Sequence, residues 1–244
     1  MIAGFIIHGN ASKPVVLRGM GPSLANAGIP AGTVLNDPVL ELRGSDGALI
    51  TSNDNWKDSP QRGQIEGSIF QPGDDREAVI LATLSPGAYT AIVTGKNQTT
   101  GVGLVEVYDN NQAVDSQLAN ISTRGFVQTD SNVMIGGFIL GGNPNNTRIA
   151  LRGMGPSLAQ FGLSPVLADP TLELHDSNGS ILVANDDWQS DPVSAAQLTA
   201  AGLGLSNSKE SGIFTSLPPG AFTAILAGKN GGTGVGLVEL YDLR

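Results

Sequence analysis

The apolar positions of this chain come in short runs separated by Gly, Pro, Asn and Asp. In the first half the runs are GFIIHG, KPVVLRG, PVLELRG, EAVILATL, AYTAIVTG and VGLVEVYD. They are rich in Val, Ile, Leu and Tyr. Several alternate apolar and polar residues, the period of two that turns one face of a strand towards a core. LELRGSDGALI predicts a hairpin turning at Asp46-Gly47, and LELHDSNGSIL one turning at Asn178-Gly179. PSLANAG and PSLAQFG begin with Pro and end with Gly, which suits one helical turn. SAAQLTAAGLG at 194–204 is the only longer helical pattern. Short strands at a spacing of about 8–12 residues predict antiparallel sandwiches or jelly rolls.

The pattern occurs twice. RGMGPSLA at Arg18–Ala25 recurs unchanged at Arg152–Ala159, and TGVGLVE at Thr100–Glu106 recurs at Thr233–Glu239. NDPVLEL at 36–42 matches ADPTLEL at 168–174, NDNW at 53–56 matches NDDW at 185–188, and LSPGAYTAI at 84–92 matches LPPGAFTAI at 217–225. The offset stays between 132 and 134, so Gly4–Asp109 and Gly137–Asp242 are two copies of one unit of about 105 residues. A unit of that size suits one small domain. The fold class expected is therefore all-β, with two tandem antiparallel, jelly-roll-like β-sandwiches. Residues 1–119 form the first, 120–133 a strand and turn between the repeats, and 134–244 the second.

The segment 120–133, NISTRGFVQTDSNV, breaks the symmetry. Ile121, Phe126 and Val127 give it strand character, and Thr129-Asp130-Ser131-Asn132 reads as a turn into the next strand. Two sandwiches share one such strand. If it belongs to the second repeat, the first has an open edge; if it closes the first, the second is incomplete. The opening residues MIAGFII read as the middle of a strand rather than a secretion leader, which fits a segment cut from a longer array, unless one domain simply tolerates the gap. The alternative is a donor strand passed between neighbouring molecules, because exposed edges invite strand addition and a contact repeated head to tail builds a filament. On that reading Ile121, Arg124, Phe126, Val127, Phe5 and Ile7 are the assembly residues, and the partner is the chain itself, as a homopolymer or array.

Composition narrows the chemistry. Of the 244 residues 14% are charged, against about 25% in an ordinary domain. The formal net charge is −9. Few clustered cations argue against nucleic-acid binding. No apolar run approaches the roughly 20 residues of a membrane helix, so membrane insertion is not expected. With no Cys and two His, thiolate catalysis, disulfides, iron–sulfur clusters and a zinc hydrolase are excluded. An acidic, Lys-poor, Cys-free chain rich in Gly, Asn and Thr fits an extracellular or cell-surface bacterial protein.

DPVLELRGSDGALITSNDNW at Asp37–Trp56 and LSPGAYTAIVTG at Leu84–Gly95, with their counterparts at Asp169–Trp188 and Leu217–Gly228, resemble bacterial pre-peptidase C-terminal-type domains. The rest of each repeat is similar to an uncharacterised repeat of long secreted or surface proteins of environmental bacteria. The resemblance implies a non-catalytic, exported sandwich arrayed in tandem. Some related domains bind calcium or polymers such as collagen.

His8 has Gly141 at the equivalent place, and His175 aligns with Arg43, so neither His is required by the repeat. Glu41, Glu173, Glu106 and Glu239 alternate with apolar residues on strands, where a glycosidase pair is not expected. No catalytic residue is expected, and the chain is not read as an enzyme. NDNWKD and NDDWQSD cluster oxygen donors, so Asn53, Asp54, Asn55, Asn185, Asp186 and Asp187 could hold Ca²⁺ or could brace turns. No other cofactor is implied. Arg18 and Arg152 sit at strand ends, positioned to pair with Asp37/Asp169 or Glu106/Glu239, or to bind a ligand. Trp56 and Trp188 either stack on an extracellular polysaccharide or plug the sandwich.

Overall fold

The computed structural model describes residues 1–141 and 145–243. The chain divides into two compact units, Met1–Ala119 and Asn120–Arg244. In the first unit the strands are β1 (Ile2–Gly9), β2 (Lys13–Met20), β3 (Pro38–Arg43), β4 (Leu49–Asn53), β5 (Ala78–Leu84), β6 (Gly87–Gly95) and β7 (Leu104–Asp109). A one-turn helix, α1 (Arg62–Ile65), lies between β4 and β5. β8 (Ser116–Val127) runs across the boundary. The second unit continues with β9 (Met134–Leu140), β10 (Thr147–Met154), β11 (Pro170–His175), β12 (Ile181–Asn185), α2 (Pro192–Ala200), β13 (Ser211–Leu217), β14 (Gly220–Gly228) and β15 (Gly234–Asp242).

Both units are antiparallel sandwiches, so the chain is all-β as expected. In the first, β1, β6, β3 and β4 lie side by side in one sheet and β5, β2 and β7 in the other. In the second, β9, β14, β11 and β12 form one sheet and β13, β10, β15 and β8 the other. The period-two pattern does what it predicts. Ala3, Phe5 and Ile7 of β1 are buried while Ile2, Gly4 and Ile6 are not. Leu40 and Leu42 of β3 join them in the core with Val15, Leu17, Ala91 and Val93. Burying a Leu of this kind contributes roughly 1.5–3 kcal/mol. Leu172 and Leu174 serve the second core in the same way, with Ile149, Leu151 and Leu226. Both hairpins turn where expected, with Gly47 at φ 80° and Gly179 at φ 81°, a left-handed conformation that glycine adopts at little cost.

A third layer was not expected. β2 and β10 are buried on both faces: Val15 and Leu17 face the sandwich core, while Val16 packs with Trp56, Ile65 and Val79. In the second unit Ala150 packs with Trp188, Leu198 and Leu205. The segment between β4 and β5, with α1, and that between β12 and β13, with α2, therefore cover the outer face of one sheet in each unit. α2 is capped by the Asp191 carboxylate, which accepts from the N–H groups of Val193 and Ser194.

Ownership of the middle strand is settled by pairing. From Asn120 to Val127, β8 runs antiparallel to β15, with Asn120 opposite Tyr241, Ile121 opposite Leu240 and Val127 opposite Gly234. The segment 120–133 is therefore not a separate linker: it belongs to the second unit. The residues just before it serve the first unit, where Asn10 N–H donates to the Asp115 carbonyl at 3.0 Å and the Ser116 hydroxyl bonds the Ala11 carbonyl.

Candidate functional site

The two copies of TGVGLVE have the same sequence and different surroundings. In the second unit β15 is flanked by β10 on one side and β8 on the other. In the first unit β7 pairs with β2, and among the described residues no strand pairs with its other edge. The strand is shorter as a result: β7 begins at Leu104, three residues later in the repeat than β15, which begins at Gly234. The inward side chains differ as well. Val238 and Leu240 of β15 are 4% and 9% exposed, whereas their counterparts Val105 and Val107 are only partly buried against the first core.

The open edge ends in a cavity. In the second unit Val127 is fully buried and packs against Gly236. A Cβ on Gly236 would lie 2.9 Å from Val127 Cγ2, 3.0 Å from Leu226 Cδ2 and 3.4 Å from Leu167 Cδ2. The residues of the first unit equivalent to Gly236, Leu226 and Leu167 are Gly103, Val93 and Leu35. These three, with Met1, Gly95 and Thr99, line a cavity of about 530 Å³. The repeat thus keeps the shape that receives Val127, and in the first unit that shape is unfilled by any described side chain.

The expected assembly residues separate on this basis. Ile121 packs on the second core and Val127 lies within it, so both are engaged inside their own unit. Arg124 stands opposite Leu237, half-buried, and Phe126 stands opposite Val235, 52% exposed. Phe5 and Ile7 are each 1% exposed in the first core, so neither is presented to a neighbour. Of the segment 120–133, expected as a strand and turn and a possible donor, residues 120–127 pair with β15 of their own unit.

The ligand-facing expectation for the tryptophans changes likewise. Trp56 is 1% exposed and Trp188 8%, under the loops that follow β4 and β12. Neither ring offers a face to a polysaccharide. Arg18 and Arg152 form ion pairs, Nε of Arg18 lying 2.9 Å from Glu106 and Nη2 of Arg152 2.8 Å from Glu239. Tyr108 donates to Glu106 at 2.8 Å beneath Arg18. Burial first, and then this hydrogen bond, push the Tyr108 phenol up to about 12. Tyr241 is raised as well, chiefly by burial. Glu41 is bound by Arg43 at 2.7 Å and Glu173 by His175 at 2.9 Å. The hydrogen bond to the Gly179 carbonyl and the contact with Glu173 hold the His175 imidazole above its ordinary value.

The residues expected to hold calcium make these contacts within the chain. Asn53 Oδ1 accepts from Val79 N–H and Asn185 Oδ1 from Gly212 N–H, each at 2.9 Å, tying the end of β4 or β12 to the start of the next core strand. Asn55 bonds Asp58 at 3.1 Å. Asp54 pairs with Lys96 at 2.6 Å, and Asp186 pairs with Lys229. Each carboxylate holds its lysine above the ordinary ammonium range. Carboxylate oxygens of Asp169, Asp186 and Asp187 lie within 4.8 Å of one another, but Lys229 already supplies the positive charge at Asp186. The amides thus brace turns and lysines partner Asp54 and Asp186, while one oxygen each of Asp54, Asp169 and Asp186 is buried with no hydrogen-bond partner among the described residues.

Two buried acids escaped sequence reasoning. Glu77 and Glu210 are each 0% exposed. Oε1 of Glu77 accepts from the N–H groups of Gly21 and Ser23, each at 2.9 Å, and from the Ser23 hydroxyl at 2.6 Å. Glu210 receives Gly155, Ser157 and the Ser157 hydroxyl in the same way. This explains why GMGPS recurs letter for letter. Gly21 approaches Leu35 so closely that a Cβ would meet its carbonyl at 2.0 Å, and the Ser hydroxyl completes the shell around the buried carboxyl. The available signal was the Glu that opens EAVILATL and precedes SGIFTSL, one polar residue ahead of a core strand in both copies.

No family model matches the chain, and no curated protein matches it. Solved structures with some likeness include a candidate secreted protein from Eubacterium rectale, 10% identical with a TM-score of 0.23 over 98% of this chain and 68% of that one. The STIV MCP is 11% identical, with a TM-score of 0.28 over 98% of this chain and 90% of that one. The infectious bursal disease virus VP2 subviral particle is 9% identical, with a TM-score of 0.22 over 98% and 68%. At such scores the fold assignment rests on the chain's own strand pairing. Among the described residues no helix is long and apolar enough to cross a membrane.

Proposed function

We propose that this chain is a non-catalytic, extracellular structural protein whose β-sandwich repeats build arrays by adding strands to one another. The observation that carries the proposal is the difference between β7 and β15: near-identical strands, paired on both edges in the second repeat and, among the described residues, on one edge in the first. An open edge with half-exposed core residues is a template for strand addition, and head-to-tail addition gives an array that does not close. The acidic and aromatic residues weighed for catalysis or sugar binding are taken up by ion pairs and packing, which favours this reading over an enzyme or a polysaccharide-binding module.

The test supplies each molecule with a further strand. Residues 110–133 are appended after the last residue of the chain, giving a second segment of the 120–127 type. The proposal predicts oligomers that lengthen with concentration, seen by light scattering on a sizing column and by electron microscopy. The same extension carrying Ile121→Asp and Val127→Asp replacements is predicted to stay monomeric. An extended chain that stays monomeric at every concentration, like its doubly substituted control, counts against array building.

A further inference from the structure

We infer that the hairpin joining β11 and β12 in the second repeat is held by a pH-sensitive clasp, a protonated His175 that bonds Glu173 on one side and the Gly179 carbonyl on the other. Glu173 and His175 stand two residues apart on β11, so their side chains leave the sheet on the same face. Nε2 of His175 lies 2.9 Å from Glu173 Oε2, and Nδ1 lies 3.0 Å from the Gly179 carbonyl oxygen. A carbonyl oxygen only accepts, and so does an ionised carboxylate. A neutral imidazole has one N–H, so it serves one of the two oxygens and turns a lone pair on the other. Only the imidazolium, with an N–H on each nitrogen, bonds both.

The first repeat carries the same clasp with a permanent charge. Arg43 stands at the equivalent of His175, Glu41 at that of Glu173 and Gly47 at that of Gly179. Arg43 Nε and Nη2 donate to Glu41 Oε2 at 2.9 and 2.7 Å, and Nη1 donates to the Gly47 carbonyl at 2.9 Å. Each hairpin shifts register at the same place, between Leu42 and Arg43 and between Leu174 and His175. The position therefore needs a cation with donors pointing two ways. A guanidinium meets that need at every ordinary pH, and an imidazole meets it only when protonated.

The charges around His175 favour the protonated ring. Glu173 is on its own strand, and Asp176 opens the turn, where its carboxylate accepts from the N–H groups of Asn178 and Ser180. The flanking strands add no charge: Thr223 of β14 and Ile181 of β12 stand opposite His175, and neither GAFTAILAG nor ILVAN holds an ionisable side chain. The His175 side chain is 13% exposed, so water replaces a lost bond poorly. The Gly179 carbonyl, and after it Glu173, hold the imidazole above its ordinary value. With the folded value raised, the clasp is complete below the ordinary histidine value of about 6.5 and is lost as pH rises through the raised one. Over that window the hairpin of the second repeat loosens and that of the first does not.

The experiment records ring-nitrogen NMR spectra and amide exchange of the intact 244-residue chain between about pH 5 and pH 9, the span that brackets histidine titration. A His8→Gln variant assigns the two ring signals. Both nitrogens of His175 are expected to carry protons at the acid end, and the ring to titrate above about 6.5. As it does so, protection of the Gly179 and Ser180 amides, corrected for the intrinsic pH dependence of exchange, is expected to fall roughly three- to tenfold, the effect of one hydrogen bond. Protection of Gly47 and Ala48 in the first hairpin is expected to stay constant. His175→Arg is expected to make the second hairpin indifferent to pH, and Arg43→His to transfer the pH dependence to the first. If His175→Arg does not fold, Arg43→His carries the comparison. A neutral His175 ring at about pH 5, constant protection of the second hairpin while His175 titrates, a pH response that survives in His175→Arg, or a first hairpin that stays indifferent in Arg43→His would each overturn the clasp.

Discussion

Val127 packs over the bare Cα of Gly236, its Cγ2 standing 2.9 Å from where a Cβ would be. The contact locks β8 onto β15 and is possible only because the repeat has Gly at this position. Gly103, the counterpart in the first repeat, has nothing nearer to a Cβ than Leu35 Cδ2 and the Met20 carbonyl, both at 3.4 Å. The same substitution should therefore give opposite results in the two repeats. Gly236→Val overpacks a filled site and is expected to cost about 1–3 kcal/mol, whereas Gly103→Val is expected to be close to neutral. Urea denaturation of the two variants reads the difference, and equal losses would contradict the assignment of a filled and an unfilled site.

Removing the buried acid beneath the GMGPS turn should be costly in both repeats. Glu210→Ala strands the N–H groups of Gly155 and Ser157 away from water, and Glu77→Ala does the same to Gly21 and Ser23. A loss of roughly 3 kcal/mol is expected for each, from two unsatisfied buried donors. Denaturation midpoints check this; a loss below about 0.5 kcal/mol, the range of ordinary surface substitutions, would mean that the turn holds without the carboxyl.

Lysines sit on two of the carboxylates expected to hold calcium, Asp54 and Asp186. In the unaltered chain, millimolar calcium is expected to leave the melting temperature unchanged, because Lys229 pairs with Asp186. Lys229→Met removes the lysine from Asp186, leaving Lys209 at 3.6 Å from Asp169, and is expected to create a calcium-dependent rise in Tm at the cluster of Asp169, Asp186 and Asp187. Differential scanning fluorimetry with calcium and with a chelator distinguishes the two. A rise in the unaltered chain that calcium alone produces would show that the ion displaces the lysine.

Alkaline stability should track the tyrosine beside the half-buried Arg18–Glu106 ion pair. Tyr108 is pushed up to about 12, while an unfolded tyrosine titrates near 10. Between these values the folded protein holds a proton that the unfolded chain has lost. The tyrosine's contribution is full below about pH 10 and is lost progressively as pH rises towards 12. Tyr108→Phe is expected to flatten that part of the stability profile and to remove one late transition from the phenolate absorbance titration. An unchanged profile would mean that the phenol is exposed in solution.

The sandwich was legible because its strands alternate and its turns carry Asp-Gly and Asn-Gly, signals set by local backbone geometry. The repeat was legible because identical folds preserved identical letters at Arg18–Ala25 and Arg152–Ala159. The open edge was foreseeable only as one of two alternatives, since strand ownership depends on pairing between residues far apart in sequence, such as Ile121 with Leu240. The roles of Trp56, Trp188, Glu77 and Glu210 were hidden for a different reason. Burial on the outer face of β2 and β10 comes from a long loop folding back, and nothing in the local pattern distinguishes that from an exposed loop. Asp54 and Asp186 resembled a metal site because the lysines that neutralise them lie more than forty residues away.

Amide hydrogen exchange across β7 and β15 tests the central claim most directly, because it reads two near-identical segments, LVEVYD and LVELYD, in the two settings. In the 244-residue chain, the amides of Leu104–Asp109 are expected to exchange much faster than those of Leu237–Asp242. Equal protection of the two strands would contradict an open edge, and with it the proposal that the repeats build arrays by strand addition.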